Sequence, residues 1–249
     1  MTDYLQRLTT GLALILCCFL AFAAPANAET ETGDDNWTFA GSAYLWAAGV
    51  EGTNAAGDEI DVSFSDVLND LDGGIMGLIA ARKENWTLIA DIIYLRIHQQ
   101  PSSNTDVKLK GFVSTFGIAY RVMDADSLKL DILAGARYFS LDVDLELDIG
   151  GSKVKQSDSE DTIDGIIGFQ ALAPLSKQWY LSCYADIGTG ENKLTWQAWP
   201  LVGYRFEKFD LVAGYRHLEW ETDDGDNIED LNFSGLCSVL RLNFNVCVS

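Results

Sequence analysis

The chain's two histidines, His98 and His217, are its natural proton carriers near neutral pH. Ser102 and Ser103 follow His98, and Glu219 and Glu221 follow His217. Histidine beside a hydroxyl and a carboxylate is the material of hydrolysis through a nucleophilic serine. Spacing along the chain assembles no nucleophile, base and orienting acid, so no catalytic residue is assigned and the chain reads as a non-enzyme.

A second set is ionic. Asp91, Arg137, Asp164, Asp186 and Arg216 fall on polar faces near the middle of their segments. Guanidinium forks bridging carboxylates would fill an interior with ion pairs. The same groups left facing water would form a constriction that selects charged solutes. A third set is acidic: Asp142, Asp144 and Glu146 alternate with Leu141, Val143 and Leu145, and Asp223, Asp224 and Asp226 cluster further on. Carboxylate oxygens suit calcium and magnesium, but the run 223–227 lacks the spacing of an EF-hand loop. These residues read first as solvated loops, with divalent cations as weak candidate partners shared with lipopolysaccharide phosphates. No cofactor is implied.

All three sets must be held by strands. Period-two alternation marks candidate strands at 37–48, 74–83, 85–98, 107–122, 128–148, 155–175, 178–188, 193–206, 209–222 and 230–246. The segment 60–64 alternates as a further short strand. Connections at 84, 123–127, 176–177 and 207–208 are tight, whereas 49–73, 99–106 and 223–229 are long. That asymmetry suits an antiparallel up-and-down barrel of about ten strands, with eight or twelve as the neighbouring counts.

The two faces of these strands differ. Ile132, Ala134 and Ala136 oppose Asp131, Gly135 and Arg137; Trp196, Val202 and Tyr204 oppose Thr195, Gln197 and Arg205. Alternation cannot say which face is inside. Aromatic placement can: Trp86, Tyr120, Trp179, Phe206 and Phe209 sit beside the tight turns, as a membrane-interface girdle requires. Tyr94, Tyr138, Trp196, Tyr215 and Trp220 lie toward the opposite ends and supply the second girdle. A soluble core of glycine, aspartate and arginine would bury unpaired charge at a cost of several kcal/mol per ion. The apolar face therefore looks out at lipid, and the fold is an all-β transmembrane barrel.

The amino terminus agrees with that destination. Residues 12–24 (LALILCCFLAFAA) are apolar but too short for a membrane-spanning helix, which needs about 20 residues. Ala26-Asn27-Ala28 then offers a signal-peptidase site, giving a cleaved leader at 1–28 and a single barrel domain at 29–249. The net charge of -20 excludes nucleic acid as a partner. Cys183, Cys237 and Cys247 form an odd set with no disulfide framework. The apolar-Gly-x-Arg-aromatic pattern recurs at 134–138, 202–206 and 213–217, as hairpins of one barrel period would produce.

Several segments carry a likeness. Ala43-Tyr44-Leu45-Trp46-Ala47-Ala48-Gly49, VSFSDVLNDL at 62–71, the strand 86–94, Gly135-Ala136-Arg137-Tyr138, the strand 194–206 and Gly214-Tyr215-Arg216-His217-Leu218 resemble a family of proteobacterial outer-membrane β-barrel proteins. It is loosely akin to the small barrels of the OmpA, OmpW and opacity type. The resemblance implies an outer-membrane location, contact with lipid and lipopolysaccharide, and no particular activity. Pro200 departs from the pattern and marks an irregularity, as does a carboxyl terminus that runs past Phe244. The expected role is a barrel with a largely side-chain-filled lumen, serving the envelope or surface interaction. A narrow porin-like channel is the alternative, and hydrolysis of lipid A or peptides stands third.

Overall fold

The computed structural model describes residues 37–246 apart from 55, 56, 58, 103, 150, 151 and 223–227. The leader expected at 1–28 and the acidic Asp223, Asp224 and Asp226 lie outside the described residues.

Ten long strands make the wall: β1 (Trp37–Asn54), β3 (Leu71–Lys83), β4 (Trp86–Ser102), β5 (Thr105–Ala125), β6 (Leu128–Ile149), β7 (Ser152–Pro174), β8 (Trp179–Gly190), β9 (Leu194–Arg205), β10 (Asp210–Glu221) and β11 (Ile228–Val246). The short β2 (Glu59–Val62) and helix α1 (Phe64–Asn69) lie between β1 and β3, so the alternation at 60–64 forms a strand only as far as Val62, with Ser63 capping and Phe64 opening the helix. Each long strand runs antiparallel to the next, and β11 pairs with β1 from Trp37↔Val246 to Asn54↔Ile228. That last pairing closes the sheet and leaves no edge through the membrane, where an unpaired peptide group would cost several kcal/mol.

Tight turns gather at one end. Glu84 takes a positive φ of 53° in the β3–β4 turn, and Ser176 Oγ accepts from the backbone N–H groups of Gln178 and Trp179 in the β7–β8 turn. Pro200 interrupts pairing as its missing N–H requires: the β9–β10 ladder runs through Leu201↔Gly214, resumes at Ala198↔His217 and skips the pairs between.

The distribution of exposure is inverted relative to a soluble protein. Leu236 is 71% exposed, Ile75 69% and Ile79 62%, whereas Arg137 and Arg216 are both 0% exposed. The outside is apolar and the inside is charged, so this is a membrane barrel. Trp86 packs edge-on to Tyr120, and Trp179, Tyr204, Phe206 and Phe209 form a chain of rings at the tight-turn end. Trp220 corrects the expected second girdle. It shares parity with Arg216 and Leu218 and points inward, against Phe139 and Phe233; its height suited a girdle, but its facing did not.

At the opposite end β6 and β7 outgrow the wall. They pair up to Ile149↔Ser152, whereas β8 joins β7 only from Asp164↔Gly190. Residues 152–163 thus have no β8 alongside, and a hairpin flanked by β5 rises above the barrel.

Candidate functional site

Between the girdles the lumen is crossed by two linked ion pairs. Arg216 on β10 donates from Nη2 to Asp91 Oδ2 on β4 at 2.7 Å and from Nη1 to the Tyr44 hydroxyl on β1 at 2.8 Å. Its Nε and Nη2 both donate to Gln197 Oε1 on β9, at 2.9 and 2.6 Å. Tyr44 in turn donates to Asp91 Oδ1 at 2.6 Å. The Arg216 guanidinium also lies over the rings of Trp199 and Trp46, at 4.7 and 4.9 Å from their centroids. Indole faces attract a desolvated cation, so this arginine is held by charge, hydrogen bonds and stacking together.

Arg137 on β6 makes the second pair. Its Nη2 donates to both carboxylate oxygens of Asp186 on β8, at 2.7 and 2.6 Å, and its Nη1 donates to Thr195 Oγ1 at 2.8 Å. Gln197 Nε2 reaches Asp186 at 3.5 Å, which joins the two pairs into one network across six strands. A buried carboxylate and guanidinium each carry a large desolvation cost, offset only when most of their hydrogen-bonding capacity is used. Arg216 uses all three of its nitrogens, and Arg137 uses both Nη while its Nε is left without a hydrogen-bond partner.

Four of the five inward charges noted in the sequence thus meet: Asp91, Arg137, Asp186 and Arg216. Asp164 does not join them. Its carboxylate accepts from the backbone N–H and side-chain amide of Asn192, at 2.9 and 2.7 Å, and so anchors the β8–β9 turn. Tyr44, Thr195 and Gln197 are part of the network and were legible only as members of the polar face. Nearer the tight turns a further cluster forms, with Asp131 accepting from Arg82 at 2.8 Å and from Arg121. Tyr180 donates to Asp210 at 3.0 Å beneath the Arg205 guanidinium, and its ring lies flat against Gly203, where any Cβ would overlap it. Above the network Trp220 packs tilted against Phe139 and edge-on to Phe233.

The histidines lie elsewhere. His98 Nε2 is 2.8 Å from Asp106 on the neighbouring strand. His217 faces out from the wall, between Ser234 and Glu219. The tall hairpin carries the other acidic candidates. Glu146 accepts from Lys153 and Lys155 across the β6–β7 ladder, and Asp144 accepts from Ser157 at 2.6 Å. The two lysines hold the Glu146 carboxyl down at about 2.

Among the described residues no three His, Cys, Asp or Glu side chains are grouped to hold a metal ion. The cation site entertained at Asp142, Asp144 and Glu146 is therefore not assembled. Successive same-face residues stand about 6.6 Å apart along a strand, lysines take both Glu146 oxygens, and Ser157 takes Asp144 Oδ1.

No protein-family model and no curated protein matches the chain. Solved structures similar to it are outer-membrane barrels of varied kinds. Ail, the attachment invasion locus protein of Yersinia pestis, is 11% identical, with 84% of this chain and 99% of that one covered at a TM-score of 0.38. The outer membrane protease OmpT from Escherichia coli is 8% identical over 88% and 99%, at 0.42. The toluene transporter TbuX from Ralstonia pickettii is 10% identical over 87% and 90%, at 0.38.

Proposed function

We propose that this chain is an outer-membrane barrel with a bolted lumen, serving the envelope through its wall and outer surface rather than by passing solutes. The complete burial of Arg137 and Arg216 among carboxylates, amides, hydroxyls and indoles supports this reading. Side chains that line a conducting pore stay hydrated and present their charge to the permeating ion; these two present theirs to Asp186 and Asp91. A ten-stranded barrel is narrow to begin with, and the rings of Phe139, Trp220 and Phe233 packed together narrow it again.

In this reading the tight turns face the periplasm and the long connections face outward, as in bacterial barrels generally. Outer-membrane lipid and lipopolysaccharide are then what the wall touches. The buried lumen groups bond to one another as a brace, and the interior performs no catalysis.

Recording from purified protein in a planar bilayer tests the bolt. Wild type is expected to give no steady single-channel steps, and Arg216→Ala, which removes the central fork, is expected to produce them. Reproducible wild-type steps would overturn the reading in favour of a narrow channel.

A further inference from the structure

We propose that Ser234, His217 and Glu219 form a hydrolytic triad on the outside of the wall, acting on long-chain acyl esters of amphiphiles in the outer leaflet. His217 and Ser234 are directly opposed in the β10–β11 ladder, a pairing that brings side chains on one face into contact. His217 Nδ1 lies 2.6 Å from Ser234 Oγ. Glu219, two residues along and on the same face, places Oε2 at 2.9 Å from His217 Nε2. Nucleophile, base and orienting acid are thus within hydrogen-bond reach in order. With Nε2–H donated to the carboxylate, Nδ1 is the free acceptor that a serine hydroxyl needs. Trp196 packs its ring on the imidazole at 4.4 Å between centroids, which limits its rotation.

Depth selects the substrate. Eight residues separate Phe209, in the tight-turn girdle, from His217, about 20 Å along the membrane normal for a strand rising 3.3 Å per residue at a tilt near 40°. The apolar band of such barrels is about 25 Å tall, so the imidazole lies roughly 5 Å below its outer boundary. Directly below, Tyr215 and Leu236 are 47% and 71% exposed to lipid; above, Glu219, Asn232 and Asp230 begin the polar rim. An amphiphile lying here has its acyl chain along Tyr215 and Leu236 and its ester carbonyl level with Ser234. On the β1 side Ser234 is opposed by Gly49, which has no side chain to cover the hydroxyl. Asn232, the next residue on the same face and opposite Glu219, carries the amide that would donate to the developing oxyanion.

The chemistry closes. Ser234 Oγ attacks the ester carbonyl as its proton passes to His217 Nδ1. The carbonyl–alkoxy bond breaks, and the alcohol leaves with that proton. Water, deprotonated by the same nitrogen, then attacks the acyl-serine and releases the fatty acid, returning the proton to Oγ. Ser234 and His217 are the catalytic residues; Glu219 acts through the imidazole as a positioning residue. None of this depends on whether the lumen conducts.

The test uses the full barrel in detergent micelles, with heat-dependent gel mobility as the check that each variant is folded. A long-chain fluorophosphonate is expected to label wild type on Ser234, located by mass spectrometry, and to leave Ser234→Ala unlabelled. Hydrolysis of p-nitrophenyl palmitate is expected to fall at least about 100-fold in Ser234→Ala and His217→Ala. Glu219→Gln is expected to lower kcat with KM unchanged, and Glu219→Asp to restore part of it. Fatty acid released from phospholipid vesicles or from purified lipopolysaccharide identifies which amphiphile supplies the ester. Wild type that stays unlabelled and releases fatty acid from neither overturns the proposal, as does full activity in folded Ser234→Ala.

Discussion

The lumen and the tall hairpin both use acid–base pairs, yet they use them for opposite ends. Arg216 and Asp91 meet at 2.7 Å with side chains 0% and 8% exposed. Lys153 and Lys155 meet Glu146 with lysine side chains 67% and 72% exposed. Inside, water cannot replace a lost partner, so each member obliges the other to stay. On the hairpin water stands ready, and salt screens what attraction remains. The hairpin stands clear of the lipid: Glu146 lies eight residues beyond Tyr138, about 20 Å further along the normal at the same rise and tilt. The same chemistry is a bolt in one place and a solvated trim in the other.

The comparison breaks first at the bolt. Arg216→Ala strands Asp91 inside the wall and is expected to lower stability by about 3–5 kcal/mol, read from guanidinium unfolding in lipid vesicles. The double replacement Asp91→Leu with Arg216→Met should recover much of that loss, because no unpaired charge is left. A double variant as unstable as the single one would show that the network is more than its charges.

Next in size is the lipid face. Ile79 lies opposite Ala90, four residues above Trp86, about 10 Å up and close to the midplane. Ile79→Arg should cost about 2–4 kcal/mol, whereas arginine at exposed Ser157 on the hairpin should cost almost nothing. Equal tolerance at the two positions would invert the facing described above. Smaller again is Gly203→Ala, whose new methyl overlaps the Tyr180 ring and should cost about 1–3 kcal/mol by overpacking.

The smallest effect is on the hairpin and depends on pH. The Glu146 carboxyl, held by Lys153 first and Lys155 second, drops from an ordinary 4.5 to about 2. Its folded value lies below its unfolded one, so its contribution is present above pH 4.5 and is lost as pH falls through 2. Amide exchange at 144–149 and 152–156 should quicken over that window while the lumen strands stay protected. Glu146→Gln should abolish the pH step and leave the global unfolding midpoint where it was. Loss of barrel protection in the same window would mean that hairpin and wall unfold together.

How much of this was readable differs by feature. Ten strands and the short β2 are local properties that tight turns and period-two alternation show within a dozen residues; the inverted facing needed the placement of aromatics as well. Trp220 was misread because its distance from a turn suggested a girdle, while its parity with Arg216 put it inside. The lumen charges were visible as a set, but their partners were not. Asp164 looked equivalent to Asp186 and instead anchors a turn, since Asn192 reaches it first. The acidic run at 142–146 suggested cation ligands, and only the β6–β7 register revealed the lysines opposite.

The residue order by itself determined which side chains share a face, because alternation along an extended chain is a property of each strand alone, and the aromatics beside the tight turns told which face meets lipid. Closure and register decided everything that depends on neighbours. Ser234 meets His217 through the register of the single β10–β11 ladder, whereas Tyr44 meets Arg216 across 172 residues of sequence only because hydrogen-bond ladders summed around the ring place them at one height. That sum belongs to the closed sheet, and no single strand contains it.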